Sequence, residues 1–204
     1  MSRQVKNIIN ITAFLICIAL VNIAGQNIEL EIRGVNAFTY ILIAAVLIQV
    51  IFFIPSFLLK TEKYYDLVGS LTYVITISLA YFAVENKTTI DSIIYIYVMI
   101  WASRLGIYLF RRVQKDGKDV RFEKAKTHFF WFLQYWMGQA LWVSLTACAA
   151  IIAILSPEED TLPVLAMLGM ALWLTGFTIE SVADYQKRVF RRENNPSQSF
   201  IHTG

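Results

Sequence analysis

Six apolar runs, each close to the length needed to cross a lipid bilayer, leave this chain little choice of fold. They cover roughly residues 8–24, 37–59, 67–84, 90–110, 129–155 and 162–183. A hydrocarbon core about 30 Å thick takes about 20 helical residues, and backbone polar groups inside lipid must bond within their own segment. At 57% hydrophobic residues over 204, the chain is richer in apolar side chains than a water-soluble domain. The expected fold is therefore all-α, a multi-pass bundle of six transmembrane helices in a single domain spanning 1–204.

The charges fix an orientation. Two Lys or Arg precede the first run, two lie between the second and third (Lys60, Lys63), seven between the fourth and fifth (Arg111 to Lys126) and four after the sixth. The alternate loops hold only Arg33 and Lys87, and Arg104 lies inside a run. Fifteen against two places both termini in the cytoplasm by the positive-inside rule. The net charge of +3 belongs to these loops, so no nucleic-acid surface is expected. Cys17 and Cys148 sit in different runs, and no His, Cys or carboxylate cluster has metal-ligand spacing, so neither a disulfide framework nor a metal is expected. The first run follows Arg3 and Lys6 but lacks a small-residue cleavage site, and it reads as a retained helix.

Charge inside the apolar runs points to sites, because an ionised group at membrane depth must face other helices or a wet cavity. Glu180, Asp184, Arg188 and Arg191, spaced by four, four and three, share one helical face. The fourth run ends with Trp101, Arg104, Tyr108, Arg111 and Arg112 near one face. Arg104 can snorkel, pair with Glu180 or Asp184, or join Arg111, Arg121, Arg188 and Arg191 around an anion, for which a guanidinium fork is suited. The loop after it carries a turn at Asp116-Gly117, then Asp119 and Arg121, ahead of the aromatic run 129–132. It reads either as a solvated loop under an interfacial aromatic belt or as part of a cofactor pocket. Asp66 opens the third run, as a helix N-cap or as a buried acid able to donate to a carbonyl, with Tyr65, Tyr95, Tyr97 or Tyr108 as assisting hydroxyls. Gln134 and Gln139 are expected to make interhelical hydrogen bonds.

Trp101-xx-Arg104-Leu-Gly-x-Tyr108 through Arg112, then Asp119-Val-Arg121-Phe, then Glu180-xxx-Asp184-Tyr-Gln-Lys-xx-Phe190 together resemble the steroid 5α-reductase-like membrane proteins, in particular their bacterial branch. The resemblance runs from the third apolar run onward, and it implies a bacterial cytoplasmic (inner) membrane. It implies a membrane-embedded reductase that uses NADPH on the cytoplasmic side to saturate a carbon–carbon double bond conjugated to a ketone, in a lipid-soluble substrate of steroid or isoprenoid type. It implies a cofactor site drawn from Arg104, Tyr108, Asp119, Arg121, Glu180, Asp184, Arg188 and Arg191. It sets Asp66 near the position of the acid that polarises the substrate carbonyl, and Trp101 near that of its tyrosine partner. Family members continue past a segment like 200–204 into an Arg-His-Pro-x-Tyr type motif and a last helical hairpin, so the expectation is a chain truncated relative to the family. Two other functions fit the same residues: an S-adenosylmethionine-dependent methyltransferase of the isoprenylcysteine type, and a non-enzymatic bundle in which the charges are structural ion pairs. Phosphate-binding arginines favour NADPH over S-adenosylmethionine, which carries none.

Overall fold

The computed structural model describes residues 3–116, 119, 121–156 and 163–193, with backbone alone at 116 and 191–193. Its helices are α1 (Arg3–Ile23), α2 (Ala37–Leu58), α3 (Tyr65–Ala83), α4 (Thr89–Asp116), α5 (Phe129–Leu155) and α6 (Val164–Glu193). All six are long and apolar enough to span a membrane. The protein is an integral multi-pass membrane protein built almost wholly of helix. α1, α4 and α6 each run several residues beyond their apolar windows, because charged residues at a membrane boundary do not break a helix whose backbone bonds stay internal.

Two short strands, β1 (Glu31–Ile32) and β2 (Val35–Asn36), pair antiparallel between α1 and α2, an element the apolar pattern gave no sign of. Their turn is Arg33-Gly34, both at positive φ (54° and 75°), as a two-residue hairpin turn requires. Asn36 then starts α2. Its Oδ1 accepts from the Thr39 amide at 3.0 Å, and its Nδ2 donates to the carbonyls of Gly25 and Ile28 at 3.2 and 2.7 Å.

The chain divides into two compact units, Met1–Asp160 and Thr161–Gly204. In the first, α5 is the central post and packs against α1, α2, α3 and α4. The core has two parts. Toward the hairpin it is aliphatic and small, from Ile41, Ile77, Ala80, Ala102, Val143, Ala147 and Ile151; toward the basic loops it is aromatic, from Phe53, Phe122, Phe132 and Trp136 with Val68 and Met137. α3 and α4 meet through small residues: a Cβ on Gly106 would lie 2.7 Å from that of Ser70, and Ala102 one turn away is fully buried. Lipid supplies no hydrophobic drive between helices, so backbones close on small side chains to gain packing contacts. Polar residues lie inside (Gln49, Thr72, Thr76, Ser144), while Ile16, Leu20, Ile51 and Phe82 lie outside, as lipid as solvent demands. α1 belongs to this packing, with Ile18 buried in the aliphatic core and the Arg3 guanidinium 4.4 Å from the Trp131 ring centre.

The second unit holds α6. Trp173 and Phe177, one turn apart on it, stack at 4.9 Å.

Candidate functional site at the basic end of the bundle

Three pieces of chain meet where the basic loops lie. α3 begins without a side-chain cap from Tyr64, and Asp66 occupies its first turn, where the helix dipole favours a carboxylate. Asp66 is thus no N-cap; its oxygens turn to α4 and the loop beyond. Arg112 Nη2, near the end of α4, donates to Asp66 Oδ2 at 3.2 Å, and Arg121 Nη2 lies 3.8 Å from Asp66 Oδ1.

Arg121 is held from its other side. Its Nε donates to both Asp119 oxygens at 2.9 Å, and its backbone amide donates to Asp119 Oδ1 at 3.0 Å. Burial pushes the Asp119 carboxyl up, but the hydrogen bonds from Arg121 outweigh it and hold it below the ordinary carboxylate range. The same bonds raise the Arg121 guanidinium above its ordinary value.

The segment bearing Arg121 is anchored more firmly than a solvated loop. Phe122 is 1% exposed and Ala125 fully buried; the Phe122 ring packs on Tyr65 (4.7 Å between centres) and Tyr135 (4.9 Å). Glu62, just before α3 and only 6% exposed, accepts from Lys126 Nζ at 2.7 Å and from the Asp119 amide at 3.2 Å. A buried carboxylate needs such partners, since stripping water from an unpaired charge costs several kcal/mol. Inside this layer the Tyr65 hydroxyl donates to the Tyr135 carbonyl at 2.9 Å, so it is already engaged. The Asp66 side chain is 13% exposed and that of Arg121 54%. The arrangement offers a fixed guanidinium pair at the mouth of the bundle, one member open to an anionic ligand.

Of the residues expected at the site, the structure brings together Asp66, Asp119 and Arg121. Arg104, Tyr108 and Arg112 recur every four residues on α4, with the Arg104 Nε buried. Trp101 lies deeper: its ring meets Tyr73 edge-on at 5.0 Å, and Tyr73 shares a hydrogen bond with Thr146. Tyr73 is seven residues along α3 from Asp66, about 10 Å at the helical rise, so Trp101 and Asp66 occupy different levels. Tyr95 stacks on Tyr81 at 4.3 Å. Glu180 and Asp184, both half-buried, and exposed Arg188 lie on α6, described by itself, with the Arg188 guanidinium 5.3 Å from the Tyr185 ring centre. The Arg191 side chain and the Asp116-Gly117 turn lie outside the described residues.

The residue pattern missed Glu62, Lys126 and Phe122, and gave Arg112 no special role. Glu62 carried a faint signal as the lone carboxylate between Lys60 and Lys63. Phe122 carried none. A crevice of about 870 Å³ opens at the other end of the unit, lined by Ile28, Leu30, Val84 and Leu155 with Glu29, Glu85 and Asp91. None of the expected site residues is among its described lining.

A family described as a protein of unknown function, DUF1295, matches residues 52–204, which include α3 to α6 and every expected site residue. That family is associated with steroid 5α-reductase-like membrane proteins. No curated protein and no solved structure matches the chain.

Proposed function

We propose, for a chain that belongs to the DUF1295 family, an NADPH-dependent reductase that saturates a conjugated carbon–carbon double bond in a lipid-soluble enone. The observation that carries this reading is the pair Arg112 and Arg121, converging on Asp66 at the basic end with Arg121 half-exposed. Guanidinium groups present paired N–H donors that match phosphate oxygens, so the donor set fits the several phosphates of a phosphorylated dinucleotide better than the single carboxylate of S-adenosylmethionine. Arg121 and Arg112 would hold the phosphates, and bound NADPH would supply the hydride.

Asp66 in this reading is a positioning residue. Its two oxygens face two guanidiniums, which suits holding them better than donating a proton to a substrate carbonyl. Hydride arrival at an enone builds negative charge on the ketone oxygen, and the apolar surround of the bundle strengthens any donor aimed there. A substrate soluble in lipid reaches such a site sideways through the bilayer.

Thermal-shift titration of the detergent-purified full chain tests the cofactor. NADPH is expected to raise the unfolding midpoint with increasing concentration, and S-adenosylmethionine to leave it unmoved. Arg121→Ala is expected to weaken NADPH about tenfold to a hundredfold, the worth of charge-assisted bonds to one phosphate. Stabilisation by S-adenosylmethionine alone would reverse the assignment.

A further inference from the structure

Where α2, α3 and α5 cross, three buried polar atoms have no hydrogen-bond partner among the described residues: Gln49 Oε1, Gln139 Oε1 and Trp136 Nε1. Gln49 and Trp136 are fully buried side chains. Leaving such groups unmade costs about 1–3 kcal/mol each, more than a packed interior ordinarily tolerates.

Turning the Gln49 amide over does not rescue it. Thr72 spends its hydroxyl proton on the Val68 carbonyl at 2.7 Å, so its oxygen can only accept from Gln49, and Gln49 Nε2 fills that role at 2.8 Å. Nε2 must therefore face Thr72, and Oε1 must face away.

The other two side chains pack on the same three helices. The Gln139 amide lies over the α3 backbone at Gly69, one turn from Thr72; any Cβ there would strike it, coming 2.9 Å from Gln139 Cδ. Trp136 precedes Gln139 by three residues on α5, and its ring packs on Tyr65 (5.3 Å) and Phe53 (6.4 Å), each one turn from Gly69 and Gln49 respectively. Gly69 is thus the residue that lets a carboxamide reach α3.

The set is complementary. It holds one donor, the indole N–H, and two acceptors, the carboxamide oxygens, which are the partners that a hydroxyl-bearing molecule satisfies by accepting once and donating in return. We propose that the α2–α3–α5 seam is a binding site for a small hydroxylic guest, which accepts from Trp136 Nε1–H and donates to Gln49 Oε1, to Gln139 Oε1 or, as water, to both. Buried water makes two to four such bonds, and the hydroxyl of a lipid-soluble alcohol can make two of the same bonds. The site uses neither arginine and does not depend on the proposed reductase activity.

The indole N–H of Trp136 reports on it directly. In ¹⁵N-labelled full-length protein its resonance is identified by its loss in Trp136→Phe. Cross-relaxation to water that persists after delipidation is expected if water is the guest. A contact that appears only on adding 1-dodecanol, to that alcohol's protons, assigns the site to a lipidic hydroxyl. Contact with neither would overturn the proposal. Stability gives a second reading: Gln49→Leu and Trp136→Phe should each lower the unfolding midpoint by about 2–4 °C, and together by less than their sum, because both act through one guest. A rise in the midpoint for Gln49→Leu would mean an acceptor relieved of an empty site, and would equally overturn it.

Discussion

The two ends of the five-helix unit spend their polar side chains differently. At the basic end Asp66 reaches Arg112 across 46 residues of sequence, Glu62 reaches the Asp119 amide across 57, and Lys126 reaches Glu62 across 64. At the opposite end Asp91 and Thr88 exchange bonds three residues apart in a reciprocal cap on α4, and Thr39 reaches Asn22 only 17 residues away. One end is a cross-link between helices, and the other a set of local caps beside an open crevice. A ligand site needs groups held in fixed relation from several elements, and the cross-linked end supplies that.

The comparison breaks most sharply at Phe122. Phe122→Ala removes the plug that fixes the 121–128 segment, and truncation of a fully buried Phe costs about 3–5 kcal/mol. Trypsin should then cut at Arg121, Lys124 or Lys126 well before any site near the hairpin. If the segment stays protected, the cross-link does not depend on that ring. Asp91→Ala, at the locally capped end, should cost about 1 kcal/mol and leave the proposed NADPH binding unaltered. A loss of cofactor affinity in that variant would erase the distinction between the ends.

The smallest effect concerns acid. Asp119 is held below the ordinary carboxylate range when folded, so its contribution is complete above about pH 4, the unfolded value, and fades as pH falls through the lowered folded one. Solvent screening of this partly exposed pair keeps the effect to about half a kcal/mol, and added salt should shrink it further. Asp119→Asn should flatten the pH dependence of the unfolding midpoint below pH 4; an unchanged slope would assign it to other carboxylates.

Much of the site was legible as residue types without being legible as a place. Asp66, Asp119 and Arg121 stood out because charge beside an apolar run is costly and so invites a reason. Their mutual pairing was not visible, since it depends on the 121–128 segment folding back, and that return rests on Phe122, one aromatic among many. Trp101 stood out too, yet its level on α4 sets it beside Tyr73 rather than Asp66. Gln134 and Gln139 were expected to bond between helices. Instead the Oε1 of each is buried without a partner among the described residues; for Gln139 the reason is that α5 meets α3 at Gly69, which presents no side chain to receive it.

The sequence by itself determined the solvent and the secondary structure. Apolar runs of bilayer length can satisfy their backbone in lipid only as helices. Tertiary structure alone decided which charges touch. Side-chain partners 46 to 64 residues apart depend on helix rotation and register, and those are set by where Ser70, Ala102 and Gly106 let backbones close and where Phe122 fills the aromatic core. Packing of that kind is a property of shapes in contact, and no spacing along one strand of residues encodes it.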